Sequence, residues 1–106
     1  VQTCALPIFA RSKADIEAIR WLVYHLAWRV DTEGDPLSIM GDASITKFYA
    51  TERAYEVADR AIQVFGGMGL MREGPVERAL RHLRMLRVVE GASEVQLLVI
   101  ARTLGL

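Results

Sequence analysis

One carboxylate has a setting that could support proton chemistry. Glu90 follows Val88 and Val89 and precedes Gly91, with apolar side chains on one side and no side chain on the other. A desolvated carboxylate is more basic than one in water, and a glycine beside it leaves room for a reactant to approach. Such a residue could act as a general base. The same spacing fits a plainer role, in which a negative charge ahead of the next helix complements its dipole for about 0.3–1 kcal/mol. On spacing alone the plainer role is the more economical.

A second candidate is the run Phe65 to Gly69 (FGGMG), preceded by Gln63 and Val64. Glycines allow a backbone to come close to a phosphate and to present N–H donors, and a glutamine amide can hydrogen-bond a nucleotide. The run also suits a helix terminus and tight turn, and a turn of that kind is what exposes amides. Further on, Ser93 and Gln96 have the S-x-x-Q spacing of a capping box, which predicts that the Ser93 hydroxyl caps a helix.

Other polar groups read as structural. Arg78, Arg81, Arg84 and Arg87 recur every three residues, but the chain has thirteen basic and thirteen acidic side chains. With no excess charge and no interleaved aromatics, the stripe is expected to be solvated or subunit-facing and paired with acids, not bound to nucleic acid. His25 and His82 have no partner at metal-ligand spacing, so no metal site is expected. Trp21, Tyr24, Trp28, Phe48, Tyr49 and Tyr55 are read as packing residues.

The elements that must position these groups are helices. From Ser12 to about Thr32, Ile16, Ile19, Val23, Leu26 and Val30 recur at steps of three and four, with Asp15 and Arg29 placed largely elsewhere. Gly34 suits the end of that helix, and Pro36 behind Asp35 suits the start of another. The second helix is predicted to run from about Pro36 to Phe65, along a seam of Ile39, Ala43, Ala50, Ala54, Val57, Ala61 and Val64. At that length it spans roughly 45 Å, long enough to imply that more protein packs on it. Gly74-Pro75 opens a third helix whose apolar face is Val76, Leu80, Leu83, Leu86 and Val89, ending at Gly91. A fourth runs from Ser93 to about Leu104. No segment alternates with period two, so the fold class is all-α, an antiparallel four-helix bundle.

Composition agrees. Of 106 residues 52% are apolar, with eight glycines and three prolines, which suits one helical domain with a modest core. Apolar runs fall short of the roughly 20 residues that cross a bilayer, so no membrane insertion is expected. Cys4 stands alone and forms no internal disulfide, in keeping with a reducing compartment. The chain opens on Val with no secretory pattern, and is expected to begin within a longer reading frame. Residues 1–8 (VQTCALPI) match a translated frame of a sequencing-library adapter and are expected to be a scar. The native domain is then residues 9–106.

Three strings in order resemble the C-terminal domain of acyl-CoA dehydrogenases: Ala61 to Gly69 (AIQVFGGMG), Pro75 to Arg81 (PVERALR) and Arg84 to Arg102 (RMLRVVEGASEVQLLVIAR). Ala27-Trp28, before the charged end of the first helix, resembles the preceding family helix. The resemblance covers about Phe9 to Leu106. It implies a C-terminal four-helix bundle that follows an N-terminal helical domain and a middle β-domain, in a homotetramer built as a dimer of dimers.

By this resemblance Glu90 is the base that takes the weakly acidic α-proton of an acyl-CoA thioester, with Gly91 beside the substrate. The cofactor is FAD, which accepts the β-hydride as trans-2-enoyl-CoA forms. Gln63, Val64, Phe65, Gly66 and Gly67 match the segment that contacts the flavin nucleotide of the adjacent subunit. Ala92, Ser93 and Glu94 match a second flavin-contacting segment. The commonest family pattern has Thr where Ala92 stands and often Gln where Glu94 stands, so those two carry over as backbone contacts only. Family members often have Asp where His82 stands. Some place the base on an earlier helix with a non-acid here, and an acid at position 90 argues against that subgroup.

The expected electron acceptor is electron-transferring flavoprotein, or oxygen if the protein is the related oxidase. The expected location is the cytoplasm of a bacterial-type cell. The rival reading is a non-catalytic helical module that binds a partner helix along its second helix; neither Glu90 nor QVFGG would be needed for that.

Overall fold

The computed structural model describes residues 2–106, with side chains from residue 5 onward, so the Cys4 side chain lies outside the described residues. Four α-helices follow one another: α1 (Gln2–Glu33), α2 (Pro36–Phe65), α3 (Pro75–Leu86) and α4 (Ser93–Thr103). A 3-10 turn, Gly66–Leu70, links α2 to α3.

The bounds of α2 are those its sequence predicts. Asp35 is extended and its Oδ1 accepts from the Leu37 N–H at 3.1 Å, while Pro36 opens the helix. Such a cap contributes about 1 kcal/mol. At the far end the Gly66 N–H returns to the carbonyls of Gln63 and Ile62. Gly69 packs so closely over this terminus that a Cβ there would lie 2.9 Å from the Ile62 carbonyl oxygen.

Helix α2 is the spine, and α1, α3 and α4 each pack on it. All three run antiparallel to it. Arg29 meets Asp42 close to the α1–α2 turn, and Asp15 meets Arg60 at the opposite end. On the other side Glu52 meets Ser93 and Gly41 lies against Thr103. Among the described residues neither α3 nor α4 packs against α1. The bundle is therefore open, with an apolar groove of about 500 Å³ between α1 and α3 floored by Ala54, Val57, Ala58 and Ala61.

Two expectations about α1 are corrected. The helix begins at Gln2 rather than Ser12 and carries Pro7 within it. Its packed face is also rotated from the predicted stripe: Ile16, Val23 and Val30 are exposed, while Ser12, Asp15, Ile19, Leu22, Leu26 and Arg29 turn inward. The polar members of that row have partners on α2. Arg60 takes Asp15 and Ser12, and Arg29 takes Asp42. Trp21, Tyr24 and Trp28, expected to pack, are 67%, 55% and 60% exposed, with Trp21 edge-on to Tyr24.

The third helix also stops earlier than its apolar periodicity predicts, at Leu86 rather than near Gly91. Val76, Leu80, Leu83 and Leu86 are half-buried as expected, but Val89 lies beyond the helix.

Surface area shows how open the arrangement is. The accessible surface is 7544 Å², against about 5,900 Å² for a compact monomer of this mass. The radius of gyration is 16.2 Å, where a compact chain of this length has about 13 Å. Among the described residues Ala58 is the one buried hydrophobic. Among the described residues no helix is long and apolar enough to cross a membrane.

Candidate active site

Glu90 sits in the segment between α3 and α4, and its backbone is unusual. It has φ 55, the one positive-φ residue other than glycine among those described, and Gly91 follows at φ 86. A non-glycine residue in the left-handed region costs about 1–2 kcal/mol. Such strain persists where surrounding contacts over-determine it, and it concentrates at functional sites.

Those contacts come from two residues on α2. Lys47 Nζ donates to the carbonyls of Leu86 at 2.7 Å, Val89 at 3.2 Å and Gly91 at 2.7 Å. Glu52 Oε1 accepts from Arg87 Nε at 2.9 Å and from Ser93 Oγ at 2.6 Å. The backbone closes the loop as well, with the Ser93 N–H on the Arg87 carbonyl at 3.1 Å. The Arg87 guanidinium also lies 4.8 Å over the Tyr55 ring. Arg87 thereby leaves the stripe of Arg78, Arg81 and Arg84, which stay exposed.

Electrostatics favour an ionised Glu52. Partial burial pushes its carboxyl up, but hydrogen bonds from Ser93 and Arg87, with the charges of Arg87 and Arg84, outweigh that and hold it below the ordinary value. This explains why the predicted capping box is not formed. Helix α4 begins at Ser93 with no side-chain cap, since the Ser93 hydroxyl is drawn to a charged acceptor. Gln96 turns back to donate to the Gly91 carbonyl at 3.2 Å. Neither Lys47 nor Glu52 was singled out from sequence. Their i, i+5 spacing on an otherwise ordinary helix gives no signal until the loop is laid against it.

Glu90 itself is exposed, and Val88 and Val89 are 59% and 37% exposed. Among the described residues nothing covers the loop, so the desolvated setting expected from the flanking valines is not present. The large α1–α3 groove is elsewhere and does not include Glu90.

The glycine segment lies at the C-terminal end of the spine, whereas the Glu90 loop lies against its middle. Gln63, Val64, Phe65, Gly66, Gly67 and Met68 are all exposed. No heavy atom lies within 4 Å of where a Cβ would stand on Gly66 or Gly67, so open space adjoins the backbone there. The Gly66 N–H is already used by the α2 terminus. From Glu52 to Gln63 the helix rises about 16 Å, so this segment and the Glu90 loop form two patches rather than one. Of the second segment, Ala92 is half-buried, Glu94 is exposed, and Ser93 has both its N–H and its hydroxyl engaged within the chain.

No group of acidic, histidine or cysteine side chains among the described residues could hold a metal. His82 is exposed, and His25 lies 3.9 Å from Asp42.

Comparison with known proteins bears on the family and the fold. Residues 8–105 match the family described as acyl-CoA dehydrogenase, C-terminal domain. The (R)-benzylsuccinyl-CoA dehydrogenase of Thauera aromatica is 43% identical over 90% of this chain and 23% of its own length. The butyryl-CoA dehydrogenase structure from Megasphaera elsdenii superposes with a TM-score of 0.87 at 38% identity, covering 100% of this chain and 27% of that one. A chain in the structure of the electron transferring flavoprotein of Acidaminococcus fermentans gives 0.85 at 36% identity, covering 98% and 26%.

An all-α domain built on a long central helix is thus matched in both sequence and shape. The chain belongs to the acyl-CoA dehydrogenase family, of which it carries the C-terminal domain. It spans about a quarter of the length of the relatives it matches.

Proposed function

We propose that this chain is the C-terminal part of a flavin-dependent acyl-CoA dehydrogenase in which Glu90 removes the α-proton of an acyl-CoA thioester. The observation that carries the reading is the strained pair Glu90 and Gly91, held at φ 55 and φ 86 by side chains from another helix. A carboxylate whose only task is to complement a helix dipole needs no such bracing.

The chain's own residues would act as follows. Glu90 takes the proton at its carboxylate, and Gly91 leaves the thioester room beside it. Gln63 to Gly67 would hold the FAD nucleotide of a neighbouring subunit, and the open space beside Gly66 and Gly67 fits a group lying against the backbone. Ala92 and Glu94 would offer backbone contact to the flavin of their own subunit. When bound, FAD supplies the acceptor for the hydride leaving the β-carbon, so that the product is a trans-2-enoyl-CoA.

The separation of the two patches along α2 supports a site shared between subunits of a homotetramer. Preceding domains would cover the exposed α1 aromatics and the α1–α3 groove, and would supply the desolvation that Glu90 lacks here. Electron-transferring flavoprotein is the acceptor this reading favours, and a bacterial cytoplasm the location. Residues 1–8 would be adapter-derived. Sequencing the source DNA across that junction checks the last point.

The test is Glu90→Gln in the full-length protein. FAD should remain bound while its anaerobic bleaching by an acyl-CoA disappears. Bleaching at an undiminished rate would place the base elsewhere.

A further inference from the structure

We propose that Lys47 is a positioning residue for the base: by binding three loop carbonyls it fixes the backbone of Glu90. This rests on the reading of Glu90 given above. An ammonium has three protons, and each finds a carbonyl here, on Leu86, Val89 and Gly91.

The choice of carbonyls is what separates positioning from helix capping. Leu86 is the last residue of α3, and a cation on its carbonyl is ordinary compensation for a helix C-terminus. The other two lie beyond the helix, one on the residue before Glu90 and one on the residue after it. The peptide unit before Glu90 and the one after Gly91 are therefore tied to one nitrogen, which restricts the backbone dihedrals of Glu90 and Gly91 that lie between them and aim the Glu90 side chain. Hydrogen bonds from a charged donor are roughly twice as strong as neutral ones, enough to offset the left-handed backbone.

The anchor is itself well placed. Lys47 is half-buried on α2, between the buried pair Ser44 and Thr46 and the Glu52 that holds Arg87 and Ser93. Two charged residues of opposite sign on one helix thus take the loop by complementary groups: Lys47 its carbonyls, Glu52 its side-chain donors. A methionine at position 47 would fill the same space and hold none of the carbonyls. An arginine would keep the charge but spread its donors in a planar fork that does not reproduce three converging contacts.

The experiment uses the full-length flavoprotein with Lys47→Met, Lys47→Arg and Glu90→Gln made in parallel. The probe is whichever acyl-CoA of a straight-chain and branched panel reduces the wild-type flavin fastest. Flavin content, KM and the limiting rate of anaerobic flavin reduction are measured, with α-deuterated and ordinary substrate. A base displaced by about 1 Å loses about 100-fold in rate. Lys47→Met should therefore lower the limiting rate by about that factor, with a larger α-deuterium effect, full FAD content and KM within about threefold. Lys47→Arg should fall between it and wild type.

An unchanged limiting rate in Lys47→Met, or a loss that merely tracks lost FAD, overturns the proposal while an inactive Glu90→Gln keeps the base assignment. Undiminished reduction by Glu90→Gln overturns the base assignment itself. Should Lys47→Met fail to fold, Lys47→Arg decides alone. A reduced rate with FAD and KM retained supports positioning, and a wild-type rate refutes it.

Discussion

Ser93 gives its hydroxyl proton to Glu52 across 2.6 Å, and the same carboxylate oxygen takes Arg87 Nε at 2.9 Å. One oxygen on α2 thus joins the residues where the Glu90 loop begins and ends. Ser93 is 7% exposed, so its hydroxyl has little water to turn to if the partner is lost. Hydrogen bonds to charged groups contribute about 1.5–3 kcal/mol. Ser93→Ala is expected to lower the unfolding free energy of the full-length protein by about that amount in urea titrations. A change below about 0.5 kcal/mol would mean the loop closes without this bond.

The same carboxylate predicts an acid dependence. In the fold Glu52 titrates below its ordinary value of 4.5. The folded state therefore binds fewer protons than the unfolded one across that interval. The stabilisation is fully present above pH 4.5 and is lost as the pH falls through the folded value. Glu52→Gln should accordingly be less stable than wild type at neutral pH and approach it in acid. Thermal melts between neutrality and pH 3 would check this; parallel curves for the two proteins would refute it.

Local signals in the sequence are enough to locate the helices, because caps and glycines act within a few residues. Asp35-Pro36 and Phe65-Gly66 bound α2 as their types predict. The end of α3 was not legible, since Val88 and Val89 extend its apolar rhythm. Where the helix ends at Leu86, Lys47, some forty positions earlier, takes its last carbonyl and two more beyond it, a contact that no local pattern signals. The Ser93 cap was misread for a related reason: its spacing is local, but the charged acceptor that takes the hydroxyl lies on another helix. The face of α1 was rotated because Asp15 and Arg29 count as polar in a periodicity, yet pack inward against Arg60 and Asp42. Glu90 and the Gln63–Gly67 segment stood out by residue type, but spacing alone favoured a structural role for each, and only the resemblance pointed to chemistry. The strain at Glu90, which periodicity cannot show, is the structural reason to take the residue seriously.

The glycines of the 65–69 run should separate fold from binding. A methyl group on Gly69 would press on the Ile62 backbone, which cannot swing away. Gly69→Ala should cost about 1–3 kcal/mol of stability. Gly67 meets nothing within 4 Å, so Gly67→Ala should change stability by less than about 0.5 kcal/mol. If the open space beside it receives FAD, the same variant should release the cofactor more readily on dilution. Equal FAD retention by Gly67→Ala and wild type would remove this residue from the cofactor site.

Strain at Glu90 has a measurable sign. Glu90→Ala and Glu90→Gly both delete the carboxylate, so both should fail to reduce the flavin. They differ in what φ 55 costs them. Alanine retains a left-handed penalty of about 1–2 kcal/mol, whereas glycine has none and gives up only about 0.5–1 kcal/mol through its freer unfolded chain. Glu90→Gly should therefore be more stable than Glu90→Ala by about 0.5 kcal/mol or more, read from paired denaturant curves. Such a result would mean that the fold gives up stability to hold a side chain at this point, as expected of a residue kept for its chemistry. If alanine proves the more stable of the two, the left-handed backbone at position 90 is relieved in solution, and bracing by Lys47 and Glu52 cannot be what holds it.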